Sequence, residues 1–329
     1  MEAGRRRVCD ICEKGMDVNE VFSVRKKDPP RKGKNAGHFF SLNVTDATGE
    51  IRVNFWGGPD EALVRRTFES IREGEVVRIR GVSGQWEDSM VLQVNHATGG
   101  YPWLDMVTLL KEYALSELIP CTDKDPQEMM AEVRSYIEGM RDPDIRGLLE
   151  RMFSDRAFAE SFSSSPASVS WHCAWVGGLL EHTLNVLRIC DHISQLYSAL
   201  DRDLLLASAI LHDVGKVRCY NVSTTIAESV DGRLKGHIVI GAQMVEDACS
   251  SFPDFPGPLR AKLVHMVLAS HGSNDKGSPV GPALPEAVAL NYADEIDARL
   301  ERFIIARDSG GPDDVFVMDP KLRTKVFTG

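Results

Sequence analysis

The sequence LLLASAILHDVGKVRCY, Leu204–Tyr220, begins as an almost continuous apolar run and then places His212 and Asp213 side by side, followed by Gly215 and Lys216. The run predicts a buried helix that ends at His212, with Gly215 allowing the chain to turn. Burying an imidazole and a carboxylate is costly unless each finds a partner. That partner is either a hydrogen-bonded group of the protein core or a metal ion.

Further histidines and aspartates recur on the apolar faces of other predicted helices. In GGLLEHTLNVLRICDHISQLY, His182 shares a helical stripe with Val186, Ile189, Ile193 and Leu196, so it is expected to point inward. Later segments carry His237, His265 and His271, and the helix that starts at Pro285 carries Asp294 and Asp297. One such residue is usually satisfied by hydrogen bonds in the core, but several on successive helices are harder to satisfy in that way. Imidazole with carboxylate suits Mn, Fe or Zn, so the pattern favours a metal centre.

Length and composition predict a two-domain protein without a membrane partner. The 329 residues suffice for about two domains. No apolar run reaches the roughly 18 residues that a membrane helix needs, and the basic N-terminus is not followed by the apolar region of a secretory signal. The seven cysteines are irregularly spaced, which predicts reduced thiols and a cytoplasmic location.

The N-terminal third has a strand-like pattern. From Val18 to Thr98, the segments HFFSLNVTD, GEIRVNFW, EVVRIRGVSG and SMVLQVNH alternate apolar and polar residues, with a helical insert at PDEALVRRTFESIREG. This pattern predicts a small five-stranded barrel of the oligonucleotide/oligosaccharide-binding (OB) type. The first 100 residues carry 16 Lys+Arg against 15 Asp+Glu, whereas the rest of the chain is acidic. An anionic polymer would therefore bind to the N-terminal third.

A basic segment next to aromatic residues predicts a nucleic-acid-binding surface on the barrel. The predicted contacts are six cations in a loop, Arg25, Lys26, Lys27, Arg31, Lys32 and Lys34, and four rings, Phe39, Phe55, Trp56 and Trp86. The alternative is a solvated loop with ordinary core aromatics, and strand alternation requires about half of the rings to be buried. Cys9 and Cys12 have metal-ligand spacing, but without a second such pair a free reduced pair is favoured over a zinc site.

The ordered set His182, His212-Asp213 and Asp294 resembles the H…HD…D signature of the HD phosphohydrolase superfamily. The chain resembles YhaM-type 3′-5′ exoribonucleases more closely still, in which a nucleic-acid-binding barrel precedes an HD domain. The segments SSSPASVSWHCAWVGGLLEHT, DRDLLLASAILHDVGKV, LKGHIVIG and GSPVGPALPEAVALNYADEIDARL carry this resemblance. It implies a multidomain fold, first β and then α, with an OB-type barrel followed by an all-α HD-domain helical bundle.

The resemblance also implies the site and its cofactor. His182, His212, Asp213 and Asp294 correspond to the core metal ligands, and His237 and His271 to additional histidines that hold a second ion, with Asp213 between the two. Ser270 stands where related proteins often have another histidine, so we expect the second ion to bind more weakly. The expected cofactor is one or two divalent ions, foremost Mn²⁺, with Fe, Co or Mg as alternatives. Asp297 could accept a hydrogen bond behind the ligands, and His265 is expected to be a helix-core residue.

The predicted function is metal-dependent 3′-5′ hydrolysis of single-stranded RNA or DNA by activated water, with Asp213 and Lys216 as catalytic residues. Lys216 is interpreted either as a phosphate contact or as a solvated residue at a helix end. The alternatives are an HD nucleotidase or cyclic-nucleotide phosphodiesterase, and a non-catalytic single-strand-binding replication factor. A homo-oligomer is left open. The expected boundaries are a lead with the cysteine pair (1–17), the OB barrel (18–99), a helical bridge (100–165), the HD domain (166–308) and an extended arm (309–329).

Overall fold

In the computed structural model of the protein, the structure describes residues 6–33, 37–86, 89–95, 114–169, 171, 173–311 and 314–329. The chain divides into two compact units. The first comprises Met1–Cys121 with Val222–Ile226, and the second comprises Thr122–Asn221 with Ala227–Gly329. Among the described residues, no helix combines the length and the apolar character that crossing a bilayer requires.

In its described residues, the first unit contains a closed five-stranded barrel and one α-helix. Its elements are β1 (Asp17–Lys32), β2 (His38–Asp46), β3 (Gly49–Gly58), α1 (Glu61–Ser70), β4 (Val76–Trp86) and β5 (Ser89–Asn95). The strand order is β1-β2-β3-β5-β4, and only the pairing of β3 with β5 is parallel within the described barrel. The inward-facing residues of each strand fill the interior, including Phe22, Phe40 and Leu92, none of which is exposed.

Strand β1 differs from the prediction, because the basic segment expected to be a loop belongs to this strand. It runs to Lys32 and pairs with β2 through two register shifts, one between Val24 and Lys26 and one between Asp28 and Arg31. The second shift skips Pro29 and Pro30. Proline has no N–H to donate to a strand ladder, so it is confined to edges and bulges. The regular pairing of β1 with β2 is therefore interrupted at Pro29 and Pro30 and resumes at Arg31.

The second unit is helical. Its helices are α2 (Pro126–Glu138), α3 (Pro143–Ser154), α4 (Arg156–Ser164), α5 (Gly178–Leu196), α6 (Arg202–Leu211), α7 (Lys216–Cys219), α8 (Val230–Lys235), α9 (His237–Ser250), α10 (Gly257–Leu268) and α11 (Pro285–Asp308). Aspartates at the N-caps accept backbone hydrogen bonds and define where α2, α3, α4 and α6 begin. Helices α2 to α4, predicted as a bridge, contribute to the same hydrophobic core as α5 to α11.

Two hairpins were missed by the prediction of an entirely helical second domain and an extended arm. The first consists of β6 (Tyr220–Val222) and β7 (Ile226–Glu228). The second consists of β8 (Phe316–Asp319) and β9 (Thr324–Phe327) near the C-terminus, where Arg302 of α11 forms an ion pair with the buried Asp319. Leu196, predicted as the end of the inward stripe of α5, is 78% exposed. The predicted fold class, an OB-type barrel followed by a helical HD domain, is confirmed.

Candidate functional site

His182 lies at the centre of a buried polar cluster in the helical unit. It sits one turn into α5 with no exposed surface. Its Nδ1 lies 2.6 Å from Oδ2 of Asp297, and its Nε2 lies 3.2 Å from Oδ1 of Asp294. Both aspartates belong to α11, three residues apart on one face of that helix. The carboxylate of Asp297 therefore fixes the ring of His182, with Nε2 facing Asp294. Asp297 is expected to accept a hydrogen bond behind the ligands, and its position allows this.

His212 and Asp213 add to this cluster from the turn after α6. The Nδ1 of His212 lies 2.8 Å from the carbonyl oxygen of Ala209, to which it donates, so the lone pair of Nε2 is free to face the cluster. That Nε2 lies 3.3 Å from Nε2 of His182 and 3.3 Å from Oδ2 of Asp213. Asp213 is itself only 1% exposed. Three elements that are separate in sequence thus bring four candidate ligands together.

A second group shares Asp213 with the first. The Nε2 of His237 lies 3.4 Å from Oδ1 of Asp213 and 3.4 Å from Nε2 of His271. The backbone carbonyl of Lys276 lies 3.1 Å from Nδ1 of His271 and accepts from it, which again directs Nε2 into the cluster. The two oxygens of Asp213 therefore face two different groups of histidines.

Gly215 brings α9 close to the turn that carries His212 and Asp213. The chain turns at 212–215, as expected, and φ of Gly215 is −63°, in the right-handed region, so the turn needs no left-handed residue at this position. A Cβ at this position would lie 2.0 Å from the carbonyl oxygen of His237 and 2.5 Å from the amide nitrogen of Gly241. Only glycine allows the backbone of α9 to approach this closely. This close approach brings His237 within reach of Asp213.

The protonation of the cluster follows from burial and from its internal pairs. Burial disfavours a charged His182, but the hydrogen bonds with Asp294 and Asp297 outweigh it and raise the pKa of His182 to about 10. Burial likewise opposes ionisation of Asp294, whose pKa is nevertheless held below its usual value by His182. Burial lowers the pKa of His237 to about 3 against the attraction of Asp213, so this ring is neutral at pH 7.

These groups fit a divalent metal ion. The candidate ligand atoms of His182, His212 and Asp213 lie within 4.8 Å of one another, as do those of Asp213, His237 and His271. The separations between neighbouring ligand atoms, including that from His182 to Asp294, are 3.2–3.6 Å. Oδ1 of Asp213 is buried and accepts no hydrogen bond, which is costly for a carboxylate unless a cation takes that place. Imidazole nitrogens and carboxylate oxygens suit Mn, Fe, Co or Zn. Residues His182, His212, Asp213 and Asp294 could hold one ion, and Asp213, His237 and His271 a second.

Two further predicted residues lie beside the cluster. Lys216 is 5% exposed, and its Nζ lies 2.5 Å from Oδ2 of Asp213, so the interpretation as a solvated helix-end residue is wrong. Burial opposes its charge, but the carboxylate of Asp213 raises its pKa. Ser270 is fully buried and its hydroxyl has no hydrogen-bond partner within the described structure. His265 accepts a hydrogen bond from the amide of Ala283 at 3.0 Å.

A third group, which the sequence reasoning missed, lies behind His182. The thiol of Cys173 donates to Oε2 of Glu301 at 2.7 Å, and its amide donates to Oε1 of the same carboxylate at 3.1 Å. Burial raises the pKa of the Cys173 thiol and also that of Glu301. The helical spacing of Asp294, Asp297 and Glu301 on α11 could have revealed Glu301. This contact fastens the loop before α5 to α11.

The barrel presents basic and aromatic side chains on the outer face of β1, β2 and β3. Directly opposed residues Arg31, Phe39 and Trp56 lie side by side across the three strands, and the rings of Phe39 and Trp56 stack with centroids 4.6 Å apart. Four residues away along β2 and β3, Arg52 opposes Asn43, which opposes Lys26 of β1. Alternation in GEIRVNFW puts Arg52 on the same face as Trp56, a signal that the sequence analysis missed.

The remaining predicted contacts on the barrel differ in their environment. Arg25, Lys32 and Trp86 are exposed, with Arg25 paired to Glu50 at 3.2 Å. Lys34 lies outside the described residues. The prediction for Phe55 is wrong, because this ring is 4% exposed and packs in the barrel core. Lys27 donates to the carbonyls of Phe68 and Ile71 at the end of α1, so its ammonium caps that helix.

The cysteine pair near the N-terminus remains outside these sites. Cys9 and Cys12 are exposed free thiols. Among the described residues, neither cysteine belongs to a group of side chains that could share a metal ion. A zinc site at this pair would need further ligands, such as His38 or His96. His38 lies 3.4 Å from a carboxylate oxygen of Glu61 instead, and His96 lies outside the described residues.

Comparisons with known proteins agree with both parts of the fold. The HD domain family matches residues 179–299, and the family described as an OB-fold nucleic acid binding domain matches residues 20–98. The 3′-5′ exoribonuclease YhaM of Shouchella clausii is 31% identical over 269 residues, which cover 81% of this chain and 79% of that protein. The protein of the same name from Halalkalibacterium halodurans is 30% identical over 282 residues, covering 85% and 83%, and that from Bacillus velezensis is 27% identical, covering 88% and 87%. With the barrel, the buried His/Asp cluster and this coverage of relatives, the chain belongs to the YhaM exoribonuclease family of HD-domain phosphohydrolases.

Proposed function

We propose that the protein is a metal-dependent exoribonuclease that hydrolyses single-stranded RNA from its 3′ end, and that it also accepts single-stranded DNA. The observation that supports this most directly is the pair of histidine groups that share the carboxylate of Asp213. The relatives named 3′-5′ exoribonucleases support RNA as the substrate and the direction of attack. The OB-type barrel, with its ring pair of Phe39 and Trp56, supports capture of a single strand.

Different side chains would have different roles in hydrolysis. A divalent ion, for which Mn²⁺ is our first candidate, would supply Lewis acidity and lower the pKa of water towards about 7. His182, His212, Asp213 and Asp294 would hold it, while Asp297 orients the ring of His182. Lys216 neutralises Asp213 in the metal-free protein, and its ammonium lines the cleft where a phosphate would enter.

The experiment uses a single-stranded RNA of about 20 nucleotides labelled at its 5′ end. With Mn²⁺ we expect a ladder of labelled products that shorten progressively, slower cleavage of a blunt duplex, and no cleavage with excess chelator. Asp213→Ala should remove both metal retention and hydrolysis, whereas Asp275→Ala, an exposed aspartate outside the cleft, should act as wild type. Immediate release of the 5′ label as a mononucleotide, or cleavage in chelator, would refute the proposal.

We further propose that α11 pairs with a second copy of the chain. Every fourth residue along this helix is an exposed apolar side chain, namely Val288, Tyr292, Ile296, Leu300 and Ile304. Contiguous exposed apolar patches of this kind mark interaction surfaces, and a two-fold axis lets one stripe cover its own copy. Light scattering should give a dimer mass or a larger one, and Leu300→Glu should reduce it. A monomeric wild-type protein would refute this.

A further inference from the structure

A cleft opens above the second histidine group in the helical unit. It has a volume of about 400 Å³, within the range of about 300–1,000 Å³ of small-ligand sites. His237, His271 and Asp294 are among the residues that line it. The lining also includes Trp171, an aromatic residue that is 37% exposed and that the metal cluster does not use.

Described residues around Trp171, between α4 and α5, are held by hydrogen bonds. These hydrogen bonds include that of the amide of Trp171 to Oγ of Ser168 at 2.8 Å and that of the amide of Ala167 to the carbonyl of Cys173 at 3.1 Å. Cys173 is 1% exposed and donates twice to Glu301 of α11. Cys173, two residues after Trp171, is therefore fastened to α11, which also contributes to the lining of the cleft.

The lining of the cleft also carries positive charge. Lys276 forms an ion pair with Glu295, and Arg299 pairs with the same carboxylate through Nε, 2.5 Å from Oε1. Both cations line the cleft, so the rim has two positive charges for one negative. A cleft lined by a partly exposed indole, by two cations and by His237 and His271 offers contacts for the parts of one nucleotide, its base and its phosphates.

We infer that Trp171 is a stacking platform for the base of the 3′-terminal nucleotide, and that Lys276 and Arg299 attract its backbone phosphates. This inference rests on the proposed function, since it assigns a substrate subsite to that reaction. Stacking on an aromatic side chain tolerates every base because each has a π-face. The cleft should therefore prefer nucleotides over sugar phosphates without strong selection among bases.

The test is equilibrium binding to the full-length protein with Mn²⁺, measured by calorimetry for adenosine 5′-monophosphate and for ribose 5-phosphate. The wild type should bind the nucleotide about 5- to 150-fold more tightly, the range for one stacked base. Trp171→Ala should bring this ratio close to one, and Trp171→Phe should keep most of it. Tyr197→Ala is the matched control, because Tyr197 is an exposed aromatic residue of the helical unit that does not line the cleft, and it should leave the ratio unchanged.

An equal ratio in the wild type and Trp171→Ala would overturn the inference, as would a wild-type ratio of one or a ratio lost only in Tyr197→Ala. This readout does not require turnover. If the protein binds the nucleotide through Trp171 but does not shorten RNA, the proposed function fails and the base subsite stands. If it shortens RNA while Trp171→Ala keeps the wild-type ratio, the base subsite fails and the proposed function stands.

Discussion

Replacing Gly215 with alanine should selectively remove the second group of histidines from the site. The added Cβ would lie 2.0 Å from the carbonyl oxygen of His237 and 2.5 Å from the amide nitrogen of Gly241, both in the backbone of α9. Restoring an ordinary contact of 3.4 Å requires α9 to move away by about 1.4 Å. The imidazole of His237, now 3.4 Å from Asp213, moves with that helix.

A displacement of this size is large for a metal site, because ligand distances hold to within about 0.2 Å. The second ion should therefore be lost or bound at least about 10-fold more weakly. The first ion should remain, since His182, His212, Asp213 and Asp294 lie on α5, after α6 and on α11 rather than on α9. Overpacking of this kind should also cost about 1–3 kcal/mol of the free energy of unfolding.

The assay is a Mn²⁺ titration of the stripped protein by calorimetry, with metal content checked by mass spectrometry. Wild type should show a tight and a weaker phase, and Gly215→Ala only the tight one. Gly147→Ala is the control, because a Cβ there meets no atom within 4 Å, and it should bind as wild type and be slightly more stable. Two unaltered phases in Gly215→Ala, or a single phase in the wild type, would refute the reasoning.

Three further predictions concern the first ion and the barrel. Asp297→Asn removes the charge that holds Nδ1 of His182, so metal affinity measured by calorimetry should fall about 10–100-fold, and an unchanged affinity would contradict this. The pKa of His182 is raised to about 10 in the metal-free protein, so the ion must displace a proton, and affinity should rise about tenfold per pH unit from pH 7 to 9. A flat pH profile would argue against His182 as a ligand. Phe55→Ala should destabilise the barrel by about 3–5 kcal/mol in a denaturant titration, because this ring is buried, whereas Trp86→Ala should change stability little, and similar losses for both would contradict these positions.

Local patterns in the sequence determined the two architectures and most of the candidate ligands. Alternation placed Phe40 and Leu42 inside the barrel, and the 3.6-residue period placed His182 inside α5. The pair His212-Asp213 is adjacent in the chain, so its position at the end of an apolar helix could be read directly. These features depend on residues that are close together in the chain, so they can be predicted from strand alternation and helical periodicity in the sequence.

Tertiary structure alone decided the relations between distant elements. The sharing of Asp213 by two histidine groups depends on how α5, α9 and α11 pack around the turn after α6. The role of Gly215 depends on the backbone of α9, and the burial of Lys216 on its pair with Asp213. Glycine is read from sequence as a turn former, and lysine as a surface residue. Which backbone approaches the glycine, and which carboxylate meets the ammonium, follow from long-range packing, and no periodicity along the chain encodes those distances.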